Sequence, residues 1–230
     1  MKSSPEVIYN EVIVKYMHIH IPDGVLPIWL WVSGYLISTF LFLVFSTKLR
    51  ERSKIPRVAM VSAFMLVSMS IPLGVPTHLN LAAFAGIILG PYWAFISSFI
   101  VNLILASIGH GGITIVGLNT IVVWTESLIA HLSFSLLKRT SKNCFMNAAI
   151  STFLALLTSL ILVVLIVVIS NVNPQTFLHH HEHQVEAHYI SIPTFISMIA
   201  PISIFGAIVE SLITGLLISY IKKVKPKLLP

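Results

Sequence analysis

The sequence predicts an all-α integral membrane protein, a bundle of about seven transmembrane helices, and three observations support this class. Hydrophobic residues make up 56% of the 230 residues, and charged residues make up only 10%. Long uncharged apolar segments alternate with short polar loops, which is typical of membrane-spanning helices. Lysine and arginine are concentrated in three short clusters between or after those segments. This composition excludes a soluble domain, and the clustering argues against nucleic acid as a partner for the net charge of +6.

Seven apolar segments follow one another along the chain. The third is short for a full crossing, which takes about 20 residues, and the helix-breaking pair Gly90-Pro91 separates it from the fourth. We therefore expect it to be tilted, buried among its neighbours or merged with its flanks. A single membrane domain, 17–230, follows an N-terminal extension, 1–16. Its predicted spans are residues 28–47, 57–72, 79–90, 92–109, 115–137, 146–170 and 194–221.

The basic clusters predict the orientation, because cytoplasmic loops of membrane proteins are enriched in lysine and arginine. The clusters lie at residues 48–57, 138–142 and 222–227, after the first, fifth and seventh spans. If all three are cytoplasmic, an even number of spans must separate each cluster from the next. Seven spans meet this condition when the N-terminus is outside and the C-terminus is cytoplasmic.

This topology places nine of the ten histidines on the outer side of the membrane, and only His131 lies within a span. Imidazole is the commonest protein ligand for divalent transition metals. A set of outward-facing imidazoles in a membrane protein therefore suggests metal capture. The nine outer residues are His18, His20, His78, His110, His179, His180, His181, His183 and His188.

The stretch "MHIHIPDG", residues 17–24, precedes the first span and carries several of these ligands. A free terminal amine, a deprotonated amide nitrogen and a nearby imidazole form fused chelate rings that suit square-planar Ni(II) or Cu(II). We expect the functional chain to begin at Met17, so that its amine and the amide and ring of His18 supply such ligands. His20 is an alternative ring donor. An interfacial amphipathic stub that touches lipid headgroups is the other interpretation.

Two further outer stretches carry a histidine, "GVPTHLN" with His78 and "IGHGGITIVGLNT" with His110. A lone histidine at a helix start, such as His78, is more often a polar cap than a ligand. The glycines around His110 favour a tight turn or a close backbone approach. Asn119, a few residues into the fifth span, is a buried amide that needs partners. It either hydrogen-bonds another helix or contributes to the surroundings of a substrate.

Ionisable residues within spans are rare and often functional. Glu126 and Glu210 are such residues, and both a polar clamp between helices and an ion or proton relay remain open for Glu210. Ala82, Gly86 and Gly90 form a face of small residues that lets helices approach closely. The outer loop "HHHEHQVEAH" lacks the histidine spacing of a metalloprotease and is expected to collect metal weakly. No catalytic motif is present, so we expect the chain not to be an enzyme.

Four stretches in the same order resemble the CbiM/NikM family, the substrate-capturing (S) components of energy-coupling-factor cobalt and nickel importers. They are "HIPDGVLP", "THLNLAAFAGIILGPYWA", "GHGGITIVGLN" and "GAIVESLITGLLISYIKKVKPKLL", and the resemblance covers nearly the whole chain from about residue 17. It implies about seven spans, metal bound near the outer face, no catalysis by this chain, and a place in the cell membrane of a prokaryote. The implied partners are a membrane coupling protein, cytoplasmic ATPase subunits and, in some systems, a small accessory membrane protein. The implied cargo is Co(II) or Ni(II), with no resident cofactor.

The resemblance also implies ligands. The family holds its metal through an N-terminal Met-His pair and through the histidine of the loop before the third span, which is His78 here. His20 directly precedes "IPDG" as in the family, whereas His18 follows the methionine, and sixteen residues precede Met17. Either the functional chain begins at Met17 or the site uses other ligands. The expected metal site comprises Met17, His18, His20 and His78, with Asp23, His110 and Asn119 around it.

Two other functions are alternatives to metal capture by an importer subunit. A stand-alone channel or carrier for a divalent cation would place acidic residues along a continuous path at the membrane midplane, and only Glu126 and Glu210 qualify. An S component for another small substrate, such as a vitamin, shares the architecture, but the placement of the histidines argues against an organic ligand.

Overall fold

The computed structural model describes residues 24, 26–49, 52–70, 79–109, 111–172 and 191–229. Within these residues all regular structure is helical, and a helix lies at each of the seven apolar segments. The α-helices are α1 (Ile28–Ser46), α2 (Ile55–Ser70), α3 (Ala82–Leu89), α4 (Pro91–Ser107), α5 (Val116–Thr140), α6 (Cys144–Ser170) and α7 (Ile192–Val224). Short 3₁₀ turns occupy Arg52–Lys54 and Pro226–Leu228.

Four of these helices, α1, α5, α6 and α7, are long and apolar enough to cross a membrane. The helices α2 and α4 are apolar but shorter, with 16 and 17 residues, and α3 has eight. Large apolar side chains such as Leu36 and Phe40 are exposed on the outside of the bundle, whereas Ser97, Thr120 and Glu126 are buried inside it. An apolar surface around a partly polar interior is the arrangement that a lipid solvent requires. The predicted class of all-α integral membrane protein is confirmed.

The helix α3 is buried among its neighbours, and all eight of its residues are buried. Gly90, with φ +77°, ends it, and Pro91 opens α4 at a position where a missing N–H costs nothing. Pro91 and Gly90 thus separate the two helices, as the sequence indicates. The short third segment is expected from the sequence to be tilted, buried among its neighbours or merged with its flanks, and the structure shows that it is buried.

Small residues set the distance between α3 and α5. A Cβ added at Gly86 would lie 2.0 Å from the carbonyl oxygen of Ser127, so only glycine fits at this crossing. The Ser127 hydroxyl donates to the Ala82 carbonyl oxygen at 2.8 Å, and a Cβ added at Gly90 would lie 3.9 Å from the His131 ring. The predicted face of small residues therefore packs on α5.

Contacts between helices show that the three basic clusters lie at one end of the bundle. Lys138 near the end of α5 and Lys222 near the end of α7 are both close enough to Cys144, at the start of α6, for a Coulombic interaction. The helices α1 and α5 run in the same direction, because Gly34 packs on the start of α5 and the Phe45 ring lies 5.4 Å from that of Trp124. The cluster that follows α1 is therefore at the same end, which we call the basic end.

Candidate functional site

The candidate functional site is a cluster of polar groups where α3 begins. Because Ala82 contacts Ser127 and Gly90 approaches His131, α3 runs in the same direction as α5. Ser127 lies eleven residues after Val116, the first residue of α5, which corresponds to about 16 Å along the helix axis. The N-terminus of α3 is thus inside the bundle and not at its surface.

A helix that begins inside a membrane protein leaves backbone N–H groups that no water can satisfy. Glu210, from the middle of α7, accepts two of the N–H groups in the backbone that leads into α3. The Asn80 N–H donates to Oε2 at 3.2 Å, and the Leu81 N–H donates to Oε1 at 3.0 Å. Glu210 is itself only 3% exposed. Both of its oxygens are therefore committed to the backbone of two successive residues.

Glu126, from α5, holds the side chain of the same asparagine. The Asn80 Nδ2 donates to Glu126 Oε2 at 2.5 Å, and the Ser159 side chain of α6 lies close to the Glu126 carboxyl group. The Asn80 Oδ1 turns back and accepts from the Ala82 N–H at 2.7 Å. Asn80 thus satisfies one further orphan donor of α3 in the manner of a capping residue.

Leu81, between Asn80 and α3, adopts a left-handed backbone conformation, with φ 54° and ψ 21°. This conformation costs roughly 1–2 kcal/mol for a residue with a Cβ, and Leu81 is a fully buried apolar residue, not a glycine or asparagine of a surface turn. Such strain persists only where the surroundings over-determine it. Here the hydrogen bonds that Asn80 and Leu81 donate to Glu210 and Glu126 hold the residues on which the conformation depends.

His131, the histidine within a span, continues these contacts along α3. Its Nδ1 lies 3.1 Å from the Gly86 carbonyl oxygen. A carbonyl oxygen can only accept, so Nδ1 carries the hydrogen in this contact. Three side chains of α5 therefore contact successive parts of the segment 80–86, namely those of Glu126, Ser127 and His131. Glu126 and His131 both contact this segment even though a spacing of five residues does not place them on the same face of α5.

Most residues of the predicted metal site do not belong to this cluster of polar groups at the start of α3. Met17, His18, His20, Asp23, His78 and His110 lie outside the residues that the structure describes. Asn119 is described, and it is buried in the first turn of α5. It precedes Glu126 by seven residues, which places both on one face of the helix. Among the described residues, no group of three or more His, Cys, Asp or Glu side chains could hold a metal ion.

Glycines flank position 110 with positive φ angles, +79° at Gly109 and +98° at Gly111. This backbone favours glycine, and it agrees with the tight turn that the glycine-rich stretch predicts. Asn80 is a functional residue to which no catalytic or metal-ligand motif and no charge pattern in the sequence pointed. An asparagine directly before an apolar helical run is a recognised helix-start signal, but its partners Glu126 and Glu210 are 46 and 130 residues away along the chain.

The fold and the position of this cluster define a class, a multi-pass helical membrane protein with a short helix that starts inside the bundle. A crystal structure of a truncated transition metal transporter is similar to this fold, with a TM-score of 0.71 and 23% identity, over 89% of this chain and 99% of that one. A second transition metal transporter gives a TM-score of 0.66 and 24% identity, over 89% and 93%. At these identities the similarity shows the fold.

The family is shown by the sequence. The model of the CbiM family, described as the cobalt uptake substrate-specific transmembrane region, matches residues 20–228. The chain belongs to the CbiM family and is a membrane component of a metal transporter of this type. A Haemophilus influenzae protein, provisionally named a metal transport protein, is 31% identical over 120 residues, which are 50% of this chain. The match spans 57% of that relative's length.

Proposed function

We propose that this chain captures Co(II) or Ni(II) at the outer face of the cell membrane of a prokaryote and is the metal-binding subunit of an ATP-driven importer. Membership of a cobalt-uptake family supports the ion class. The observation that carries the proposal is the position of the three basic clusters at one end of the bundle. If this end is cytoplasmic, the chain segments that carry nine of the ten histidines connect helices at the opposite, outer end.

The proposed ligands are nitrogen atoms at that outer end. His78 supplies one imidazole, and the stretch that begins at Met17 supplies the others. The Met17 amine and the amide and ring of His18 form the fused rings of a square-planar site, with His20 as the alternative ring donor. Asp23, His110 and Asn119 are proposed to surround the site and not to bind the metal directly.

The proposed partners are a membrane coupling protein and cytoplasmic ATPase subunits, and in some systems a small accessory membrane protein. This chain contributes binding and no catalysis in this scheme. Glu126 and Glu210 hydrogen-bond Asn80 and Leu81, so they hold protein backbone and side chain in place. That role supports a capture subunit over a carrier with an acidic path across the membrane.

Uptake into vesicles tests this proposal. The chain alone, reconstituted in lipid vesicles, is expected to bind radioactive Ni(II) or Co(II) without accumulating it inside. Accumulation is expected only when the coupling protein and ATPases are present together with ATP. Accumulation of either ion by the chain alone would contradict the proposal and favour a stand-alone carrier.

A further inference from the structure

We infer that Glu210 is a positioning residue for metal capture, which acts by fixing the backbone of Asn80 and Leu81, two and three residues after His78. This inference rests on the proposed function for its link to metal. Its structural part, that Glu210 and not Glu126 holds this backbone, stands on the contacts alone.

The covalent chain connects the fixed backbone to the proposed ligand. His78 precedes Asn80 by two residues, and two residues span at most about 7 Å. The Asn80 N–H and the Leu81 N–H lie two and three residues after His78, and Glu210 accepts both. Any rotation of this backbone therefore changes the direction in which the chain arrives from His78.

The left-handed backbone conformation of Leu81 needs the hydrogen bonds to Glu210 in order to persist. A leucine with φ 54° relaxes toward ordinary backbone angles unless its neighbours prevent it. Relaxation would turn the Leu81 N–H away from Oε1 and leave a donor of a buried residue without its acceptor. The two hydrogen bonds to Glu210 and the strained angle thus belong to one arrangement, which is retained only while both acceptor oxygens are present.

The two buried glutamates differ in a way that allows a matched comparison. In Glu210→Gln, the new amide group would face a backbone N–H, so one buried donor loses its acceptor. In Glu126→Gln, the remaining oxygen still accepts from Asn80, and the new amide can donate to the Ser159 hydroxyl. Both variants replace a carboxyl group by an amide of the same size, and only Glu210→Gln breaks a contact with the backbone.

The first experiment is a titration with Ni(II) of the purified chain that begins at Met17, the form expected to carry the complete metal site, followed by the visible absorption spectrum at saturation. Glu210→Gln is expected to weaken binding by about 10- to 100-fold, as is typical when a group that orients a metal ligand is lost. The spectrum at saturation is expected to match the wild type, because the ligands themselves are unchanged. Glu126→Gln is expected to weaken binding by at most about threefold.

Three results with the two glutamine variants would overturn the inference. Equal losses in both glutamine variants would show that the charge near the site matters and not the backbone contact. A changed spectrum in Glu210→Gln would make Glu210 a ligand, and unchanged affinity would remove its role. If Glu210→Gln does not fold, Glu210→Asp retains both acceptor oxygens on a shorter arm. It is expected to fold and to bind more weakly than the wild type with an unchanged spectrum, and wild-type affinity in this variant would overturn the inference.

Amide hydrogen exchange without metal separates this inference from the proposed function. In Glu210→Gln the amides of residues 80–85 are expected to exchange faster than in the wild type, whereas in Glu126→Gln they are expected to stay protected. If the wild type binds no metal but this pattern is found, the proposed function fails and the backbone role of Glu210 stands. If exchange is unchanged in Glu210→Gln, the inference fails whatever the metal titration shows.

Discussion

At the scale of single residues, the carboxyl groups of Glu126 and Glu210 hold Asn80 and Leu81 where the chain enters α3. The sequence identified Glu126 and Glu210 as unusual, because ionisable groups are rare within spans, and it left a polar clamp and an ion relay open. The structure shows a clamp on Asn80 and Leu81. Nothing local in the sequence connects residue 80 with residue 210, since the contact arises only when α7 packs in the bundle.

Asn80 provides a prediction at this scale. Asn80→Ala removes the donor to Glu126 and the acceptor of the Ala82 N–H, and leaving such groups unsatisfied costs about 1–3 kcal/mol. The melting temperature of the detergent-solubilised chain is expected to fall clearly. Asn102→Ala is the matched control, because the buried Asn102 side chain donates to the Ser98 carbonyl oxygen within its own helix. A drop for Asn102→Ala as large as that for Asn80→Ala would contradict the role given to the cluster.

At the scale of elements, the apolar runs of the sequence predict where each helix lies in the chain. They predict less well whether a helix is surrounded by lipid or by other helices. The third segment was recognised as short, but its burial depends on α5, which packs against it. Hydrophobic pattern alone cannot distinguish a helix that faces lipid from one that faces other helices, because both are apolar all round. The face of small residues was the useful signal, since close helix packing in membranes requires such residues.

The crossing of α3 and α5 provides a prediction for this element. Gly86→Ala would bring a Cβ to 2.0 Å from a backbone oxygen of Ser127, which must shift. Overpacking of this kind costs about 1–3 kcal/mol, so the variant is expected to melt at a lower temperature than the wild type. Gly215→Ala is the milder control, because its Cβ would meet the Phe145 ring at 3.0 Å and the Phe145 backbone oxygen at 3.2 Å, contacts that a shift of a few tenths of an ångström relieves. Equal destabilisation by both substitutions would contradict the tight crossing.

At the scale of the whole molecule, the structure brings the three basic clusters to one end, and the side of the membrane is the remaining prediction. Single cysteines, introduced after replacement of Cys144, are expected to be labelled from outside at positions beside His78 and His183. Cysteines beside Arg52 and Lys223 are expected to be labelled only after the membrane is opened. Labelling beside Arg52 and beside His78 from the same side would contradict the seven-span topology.

The N-terminal chelate is a second prediction for the whole chain. A chain that begins at Met17 offers a terminal amine, so it is expected to bind Ni(II) with a square-planar absorption band, to release protons on binding and to bind more weakly as the pH falls. A chain that begins at Met1 is expected to bind more weakly and without this band. Equal affinity and identical spectra in the two forms would remove the terminal amine from the site and leave His18, His20 and His78 as its ligands.

The most direct test of metal capture at the outer end is a Ni(II) and Co(II) titration of His78→Ala beside the wild type. The substitution removes one proposed ligand, so tight binding is expected to disappear while the melting temperature stays near that of the wild type. A control variant replaces the four histidines within residues 179–183 by glutamine and is expected to lose far less affinity, because that loop offers many weak ligand sets. Tight binding retained in His78→Ala, or a larger loss in the loop variant, would contradict the account.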